Sequence, residues 1–362
     1  MVTPEENKAM VLRKVDDMSF ESRPITTAPA AGECLVRVKA CGICGSDVHY
    51  LKNGRIGDFI VRSPMVIGHE AAGIVEAVGD GVTNVKVGDK VAMEPGVPCG
   101  QCDLCKCGKY NLCPDVKFFA TPPVDGCLSN FVMHPARFCF KLPENMTLEE
   151  GAMCEPLSVA VYACESKAEV KEGYKVVVFG AGPVGTMTAM VAHGMGASTV
   201  VVCDVDKARL EKVKGLCPQV EVLDTSRLGD ADEVAQHLKE MIGSSADCAI
   251  DCSGAQPAVQ TAIKVTKSGG VVCLVGMGAP DMTLPILNAS VREVDIKGVF
   301  RYRNTYPTCI ELISSKKVNV MPLITHKYAF TNDDILQAFE DCRRGVGRDG
   351  RSTIKCMIDI QS

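Results

Sequence analysis

The stretch from Lys175 to Asp204 restricts the fold of this chain more than any other. An apolar strand, KVVVF, runs directly into the turn Gly180-Ala181-Gly182-Pro183-Val184-Gly185; a helix-length segment follows, and a second strand, STVVVCD, ends at Asp204. This order of strand, helix and strand is one βαβ unit, whose two strands run parallel.

The alternation of strands and helices continues after Asp204. The segments CAIDCSG (248–254) and VVCLVG (271–276) are nearly uniformly apolar, and the helix-like segment 256–267 separates them. Strands of this kind suit a parallel sheet that is covered on both faces. The sequence therefore predicts an α/β domain with a doubly wound parallel sheet.

The glycine turn has the pattern G-x-G-x-x-G, in the strand-to-helix position that dinucleotide binding requires. Gly180 permits the tight turn, Gly182 lets the backbone approach a pyrophosphate, and Gly185 lets helix and strand pack closely. Asp204 follows at about the expected ~20 residues and is placed to accept hydrogen bonds from a ribose 2′-hydroxyl. A turn that binds nothing would also use glycines, but the terminal acid favours dinucleotide binding, and NAD over NADP.

Length and charge limit the remaining possibilities. The chain has 362 residues, 46% of them apolar, which is enough for two cores. The net charge is -5, and the compact basic stretch RRGVGRDGR (343–351) is broken by Asp349, so we expect a solvated loop and no nucleic-acid partner. Since no apolar run approaches the ~20 residues that cross a bilayer, we expect no membrane partner.

The use of cysteine predicts a reducing compartment. Twenty cysteines are dispersed over a chain that opens MVTPEENKAM, without a basic start followed by an apolar core. A disulfide framework is typical of small secreted proteins instead. We therefore expect reduced thiols and a cytoplasmic location.

Five cysteines lie in the segment VPCGQCDLCKCGKYNLC (97–113), within a half of the chain that otherwise predicts compact β structure. Cys99, Cys102, Cys105 and Cys113 have a spacing that lets one loop place four thiolates tetrahedrally around Zn²⁺. Cys107 would compete as a ligand, but we assign it as a free thiol. Four protein ligands fill a tetrahedral zinc, so this site is predicted to be structural.

A catalytic metal needs an open coordination position, and two other stretches offer a second donor set. CGICGSDVHY (41–50) and GHEAAG (68–73) supply Cys44, His69 and Glu70, a mixed sulfur, nitrogen and oxygen set suited to zinc. Alone, each stretch also fits an ordinary turn or strand edge. In a chain that carries a nucleotide motif, a catalytic zinc is the better interpretation.

Together, GHEAAG, the four-cysteine segment, GAGPVG and Asp204 resemble the zinc-containing medium-chain dehydrogenases along essentially the whole chain. CGICGSDVHYLKNGRIGDFIV, EPLSV (155–159) and REVDIKGVFRYRNTYP (292–307) are similar to the polyol branch of that family, the sorbitol and xylitol dehydrogenases. The resemblance implies a GroES-like β-rich catalytic domain of residues 1–158 and 298–362. It also implies a Rossmann NAD-binding domain of residues 159–297.

The resemblance also implies roles for individual residues. Glu155 would join Cys44, His69 and Glu70 at the catalytic zinc, either directly or through water; the neighbouring Cys154 is the alternative ligand. Ser46 and His49 would relay the alcohol proton outward, and the substrate hydroxyls would contact Tyr50, Glu155, Arg301 and Tyr302. The residues expected near NAD are Gly180, Gly182, Val184, Gly185, Asp204, Arg209, Val275, Gly276, Met277, Val299, Phe300 and Arg301.

The expected activity is zinc-dependent oxidation of a small polyol to the ketose with NAD⁺ as hydride acceptor, of the L-iditol 2-dehydrogenase or D-xylulose reductase type. A dehydrogenase for L-threonine or another secondary alcohol remains an alternative, as does a non-catalytic NAD-binding protein. The resemblance further implies a homotetramer with one catalytic and one structural zinc ion per subunit.

Overall fold

The computed structural model of this protein describes residues 3–360, apart from the side chain of Glu5. The strands are β1 (Lys8–Lys14), β2 (Asp17–Ser22), β3 (Glu33–Ile43), β4 (Arg55–Ile56), β5 (Phe59–Ile60), β6 (Met65–Val66), β7 (Glu70–Val78), β8 (Lys90–Met93), β9 (Gly96–Val97), β10 (Lys117–Phe118), β11 (Phe131–Pro135), β12 (Cys139–Lys141), β13 (Lys175–Phe179), β14 (Thr199–Asp204), β15 (Glu221–Asp224), β16 (Ala246–Asp251), β17 (Thr266–Leu274), β18 (Asp295–Gly298), β19 (Ile324–Ala329) and β20 (Lys355–Asp359).

The α-helices are α1 (Gly45–Asn53), α2 (Asp103–Lys106), α3 (Leu148–Ala152), α4 (Cys154–Val161), α5 (Pro183–Gly194), α6 (Lys207–Leu216), α7 (Ala231–Ile242), α8 (Gln256–Val265), α9 (Ile286–Ser290), α10 (Tyr306–Ser314) and α11 (Asn332–Arg344). A π-helical segment, Tyr162–Lys167, follows α4 directly. In residues 3–360, no helix is both long enough and apolar enough to cross a bilayer.

The chain divides into two compact units. The first unit holds the residues up to Glu155 and those from Asn319 onward, and the second runs from Pro156 to Val318. The second unit extends past residue 297, the end that the sequence predicted, because α10 packs onto it. Cys309 Sγ of α10 lies 3.4 Å from Ser158 Oγ, and both residues are buried.

The first unit is built on a β-sheet that joins distant parts of the chain. Over the described residues its strands follow the order β12-β8-β7-β3-β20-β19, and β11 pairs with β3. The C-terminal strand β20 runs antiparallel to β3, with Cys356 opposite Ile43. This pairing brings the end of the chain beside the residues that begin the candidate metal site.

The second unit contains the predicted parallel sheet, with the strand order β15-β14-β13-β16-β17-β18 in the described part of the chain. Each neighbouring pair is parallel. Val177, Val201, Ala249 and Val272 are fully buried on these strands, and burial of each valine stabilises the fold by roughly 1.5–3 kcal/mol. The chain reverses its direction of progress across the sheet between β13 and β16, where this fold binds dinucleotides.

Candidate metal and nucleotide sites

The first unit brings together three residues that the sequence proposed as zinc ligands. The donor atoms of Cys44, His69 and Glu70 all lie within 4.8 Å of one another. Cys44 precedes the first turn of α1, and His69 and Glu70 stand where β7 begins. Since Glu70 is opposite Gly42 in the pairing of β3 and β7, sheet register places the carboxylate beside the sulfur. A mixed sulfur, nitrogen and oxygen set of this kind fits zinc.

Asp47 holds two of these residues in place. Its carboxylate accepts hydrogen bonds from the backbone N–H of Cys44, at 3.1 Å, and of Gly68, at 3.3 Å. His69 Nδ1 lies 3.4 Å from Asp47 Oδ1, with both side chains buried. Burial lowers the pKa of His69, but the Asp47 carboxylate and Cys44 together outweigh burial, so the pKa lies well above its usual range. A carboxylate behind a histidine fixes the ring's orientation for a metal.

Glu70 has a buried counter-charge in Lys355. The ammonium donates to both carboxylate oxygens, at 2.6 Å and 2.7 Å, and also to the Ile43 carbonyl oxygen at 3.2 Å. Gly42 leaves room for this arrangement, because a Cβ at that position would collide with the Glu70 carboxylate. Lys355 thus neutralises one negative donor of the cluster.

Glu155 occupies a different position from the three other proposed ligands. It is buried in the first turn of α4, but among the described residues it does not join the set whose donor atoms all lie within 4.8 Å. Its charge raises the pKa of Lys355 together with the charges of Glu70 and Cys44, so it belongs to the same electrostatic environment. Cys154 directs its sulfur to the Glu150 carbonyl oxygen, 3.7 Å away.

The four-cysteine segment also converges. The sulfurs of Cys99, Cys102, Cys105 and Cys113 lie within 4.8 Å of one another, with Cys102 and Cys105 3.4 Å apart and Cys99 and Cys105 4.0 Å apart. A tetrahedral zinc with Zn–S bonds of about 2.3 Å needs sulfurs about 3.8 Å apart, so the spacing fits. Cys107 is exposed and directs its sulfur to the Leu104 carbonyl oxygen instead.

Backbone hydrogen bonds prepare one of these thiols for metal binding. The N–H groups of Gln101 and Cys102 point at Cys99 Sγ, at 3.5 Å and 3.4 Å, and they lower the pKa of Cys99 to about 6. Burial raises the pKa of Cys105 to about 12. Because zinc binds thiolates, loading of this site must displace protons.

Helix α1 carries the proposed relay and one proposed substrate contact. Ser46 and His49 are three residues apart on α1 and therefore lie on one helical face. His49 is exposed, and its Nδ1 lies 3.1 Å from Asn53 Nδ2. Tyr50 is buried. Helix α1 therefore has a buried side chain at Tyr50 and a solvent-exposed imidazole at His49.

The second unit forms the predicted glycine turn. Gly180 has φ +98°, a conformation that favours glycine, and a Cβ at Gly185 would collide with the Gly180 carbonyl oxygen. Gly182 precedes α5, so the turn presents the start of a 12-residue helix. This is the arrangement in which backbone N–H groups and the helix dipole bind a pyrophosphate.

Asp204 ends β14 beside this turn. One carboxylate oxygen accepts a hydrogen bond from the Ala181 N–H at 2.6 Å, and the other accepts from the Asp206 N–H at 2.9 Å. Arg209 Nε lies 3.5 Å from Asp206 Oδ2. A carboxylate at this corner suits a ribose 2′-hydroxyl and repels a 2′-phosphate.

The other proposed cofactor and substrate residues also lie in the second unit. Val184 is partly buried at the start of α5, and the turn formed by Val275, Gly276 and Met277 follows β17. Val299 donates its N–H to the Leu274 carbonyl oxygen at 2.9 Å. The Arg301 guanidinium lies 5.0 Å from the centre of the Phe300 ring, and Tyr302 is buried.

Comparison with known families assigns both halves of the chain to one dehydrogenase family. Residues 30–144 match the alcohol dehydrogenase GroES-like domain, and residues 183–315 match the zinc-binding dehydrogenase domain. A sorbitol dehydrogenase of Arabidopsis thaliana is 49% identical to this chain, over 98% of this chain and 96% of the relative. The chain belongs to the zinc-dependent medium-chain dehydrogenases, in their sorbitol dehydrogenase branch.

Other relatives of this dehydrogenase carry different names. An L-idonate 5-dehydrogenase of Vitis vinifera is 46% identical over 98% of this chain and 95% of the relative. The crystal structure of an Escherichia coli oxidoreductase of unknown specificity covers 98% of this chain and 99% of its own, with a TM-score of 0.88 at 37% identity. The family uses zinc and NAD. The two groups of possible metal ligands fit zinc, and the glycine turn with Asp204 fits NAD.

Sequence reasoning missed two residues that contact the candidate metal ligands of this dehydrogenase. Asp47 had a local signal, since an acid three residues after Cys44 resembles a capping residue that reaches back to the start of a helix. Lys355 had no signal, because its partner Glu70 lies 285 residues away in the chain.

Proposed function

We propose that this protein oxidises a secondary hydroxyl of a small polyol, of the sorbitol or xylitol type, to the ketose and transfers the hydride to NAD⁺. The observation that carries the proposal is the convergence of Cys44, His69 and Glu70 on one position, in a chain that also forms a dinucleotide turn. The sorbitol dehydrogenase relatives support the substrate class. Zinc at this position supplies a Lewis acid that lowers the pKa of the substrate hydroxyl.

The residues of the chain have distinct tasks in this reaction. Asp47 holds His69 in a fixed orientation, and Lys355 holds Glu70. Ser46 and His49 pass the hydroxyl proton along one face of α1 to solvent, since a histidine accepts protons near neutral pH. In the first unit, Glu155 and Tyr50 contact the substrate hydroxyls. If His49→Ala left the pH–rate profile unchanged, the relay would be wrong.

The first experiment compares initial rates of NADH formation with D-sorbitol, xylitol, L-idonate, L-threonine and a simple secondary alcohol. It is performed before and after chelation and after zinc is restored. We expect zinc-dependent turnover, highest with a polyol. Preference for L-idonate or L-threonine would assign another substrate, and NADH binding without turnover of any alcohol would indicate a non-catalytic protein.

Two cysteine variants test the metal cluster. Cys44→Ser removes the soft donor of the cluster and should lower kcat/KM on the best polyol by about a hundredfold or more. Cys107→Ser is the matched control, because that thiol is exposed and outside both cysteine sets. Equal activities of the two variants would contradict the metal assignment.

A homotetramer is the assembly that we propose for this enzyme. Strand β18 lies at the end of the strand order of the second unit, and the apolar side chains of Leu287 and Val291 are 76% and 72% exposed. An edge strand with exposed apolar residues nearby suits pairing with a second copy of the chain. Leu287→Glu should lower the mass measured by light scattering; an unchanged tetramer would place the interface elsewhere.

We also propose a cytoplasmic location, which the reduced state of the 20 cysteines supports. Fractionation of cells that express the full chain, followed by immunodetection, tests it. Recovery in an oxidising compartment would contradict it.

A further inference from the structure

Three loops of the second unit meet through their backbones at the carboxyl ends of β13, β16 and β17. Gly180 faces Ser253, whose backbone nitrogen would lie 3.1 Å from a Cβ on that glycine. Gly254 has φ +71° and faces Gly278, whose backbone nitrogen would lie 2.5 Å from a Cβ at residue 254. A Cβ at Gly276 or Gly278 would collide with backbone atoms of Gly254. Glycine at these positions therefore allows the three loops to touch.

Asp251 ties two of these loops together. The residue is 1% exposed at the end of β16, opposite Phe179 of β13 and Leu274 of β17. Its carboxylate accepts hydrogen bonds from the N–H of Ser253 at 3.1 Å, the hydroxyl of Ser253 at 2.6 Å and the N–H of Gly254 at 3.0 Å.

The backbone of Asp251 completes the connection. Its carbonyl oxygen accepts from the N–H of Val275 at 2.8 Å and of Gly276 at 2.9 Å. One residue thus holds its own loop with its side chain and the following turn with its carbonyl group. The side chain of Met277 in that turn is 81% exposed, so the position of the turn depends on these backbone contacts.

The strand order indicates which half of the cofactor lies over the three loops. Asp204 on β14 marks the adenosine ribose, and the glycine turn after β13 marks the pyrophosphate. A dinucleotide that crosses the point where the strand order reverses has its other half over β16 and β17. The loops that Asp251 holds therefore border the nicotinamide half.

We propose that Asp251 is a positioning residue for the nicotinamide end of NAD, acting through Gly254 and Gly278 to fix the turn formed by Val275, Gly276 and Met277. The inference rests on the proposed NAD-binding function. A turn that is held before the cofactor arrives loses less conformational freedom on binding, which strengthens affinity for the half that it contacts.

The test compares two probes, NADH and ADP-ribose, which lacks the nicotinamide. The full-length, zinc-loaded protein is used, and because the chain contains no tryptophan, binding is followed by the emission of NADH and its displacement by ADP-ribose. Asp251→Asn turns an amide group towards backbone donors, and Gly278→Ala pushes the loops apart. Both variants should weaken the binding of NADH by about tenfold or more and the binding of ADP-ribose by less than about threefold. The KM for NAD⁺ should rise by about as much as the affinity for NADH falls.

Two further variants calibrate this result. Gly215→Ala lies in α6 with nothing within 4 Å of the added Cβ, so it should leave both affinities unchanged. Gly185→Ala disturbs the turn that binds the pyrophosphate, so it should weaken the binding of NADH and of ADP-ribose by similar factors. If Asp251→Asn does not fold, Gly278→Ala and Ser253→Ala carry the comparison.

The outcomes separate the two proposals. A wild-type protein that binds neither probe would overturn the proposed NAD function itself. A wild-type protein that binds both, with variants that keep its ratio of NADH to ADP-ribose affinity, would overturn the positioning role, even if their melting temperatures fall.

Discussion

Lys355 Nζ lies 2.6 Å and 2.7 Å from the two carboxylate oxygens of Glu70, and both side chains are buried although 285 residues separate them in the chain. Burial lowers the pKa of Lys355, but Glu70, with Cys44 and Glu155, outweighs burial, so the pKa lies above its usual range. The lysine is therefore charged inside the protein. Its charge balances the carboxylate of a proposed metal ligand, so strand β20 contributes directly to the candidate metal site.

Removal of this lysine should destabilise the metal-free protein. Lys355→Met leaves Glu70 as an uncompensated buried charge, which costs about 3–5 kcal/mol of unfolding free energy. Zinc should restore part of the loss, because the metal supplies positive charge to the same carboxylate. Chemical denaturation of metal-free and zinc-loaded protein measures both effects.

Lys327→Met is the matched control for this prediction. Lys327 pairs with Glu149 at 2.7 Å, but the two side chains are 49% and 30% exposed, and such pairs contribute only about 0–1 kcal/mol. Equal losses in the two variants would mean that the Lys355 pair has no special role.

Asp204 should control the choice between NAD and NADP. Asp204→Ala removes the carboxylate that accepts a hydrogen bond from the Ala181 N–H and that would repel a 2′-phosphate. The KM for NAD⁺ should therefore rise by about tenfold, and the ratio of kcat/KM for NAD⁺ to that for NADP⁺ should fall by more. Steady-state kinetics with both cofactors measures this. Asp224, the register partner of Asp204 on β15, is the control: Asp224→Ala should keep the preference, and an equal change in both variants would contradict the assignment.

The sequence predicts those parts of the sites whose residues are close together in the chain. The glycine turn and the four cysteines could be read from the sequence because their residues are close together in the chain, where spacing fixes geometry. Cys44 and His69 are in separate segments, and their donor chemistry in a chain with a nucleotide motif, rather than their spacing, joined them. Lys355 and Asp251 act through partners set by sheet register and by the approach of backbones, which no local pattern encodes.

Zinc affinity of the four-cysteine site should increase with pH. The pKa of Cys99 is lowered to about 6, whereas burial raises the pKa of Cys105 to about 12 and also raises that of Cys113. Zinc must therefore displace protons from Cys105 and Cys113 at neutral pH. For each proton that zinc displaces, its affinity should rise about tenfold per unit increase in pH. Competition with a chromogenic chelator at two pH values one unit apart measures the slope.

Variants of the same segment check the origin of the slope. Cys105→Ser removes one displaced proton and should flatten the dependence as well as weaken binding. Cys107→Ser should keep the wild-type slope, since its sulfur is outside the set. A wild-type affinity that does not change with pH would show that the thiols are already ionised.

Glu94 should make the protein less stable as the pH rises. It is 2% exposed, and it accepts a hydrogen bond from the Tyr110 hydroxyl at 2.6 Å. Burial raises its pKa to about 7, the Tyr110 bond opposes the shift, and the charge of Glu155 adds to it. The folded protein then binds a proton that the unfolded chain releases near its ordinary value of 4.5, so stability falls between these two pH values and stays low above them.

Glu94→Gln should abolish this loss, because the amide oxygen still accepts from Tyr110 and carries no charge. At roughly 1.4 kcal/mol per pKa unit, the variant should be more stable than the wild type by about 3 kcal/mol in mildly alkaline solution and about equal to it in acid. Glu340→Gln is the control of opposite sign: its hydrogen bond with Arg343 lowers the pKa of Glu340, so that variant should lose a little stability at neutral pH and none in acid. Unfolding free energies of all three proteins across this pH range decide the matter, and a Glu94→Gln protein whose pH dependence parallels that of the wild type would show that Glu94 is ionised in the fold throughout.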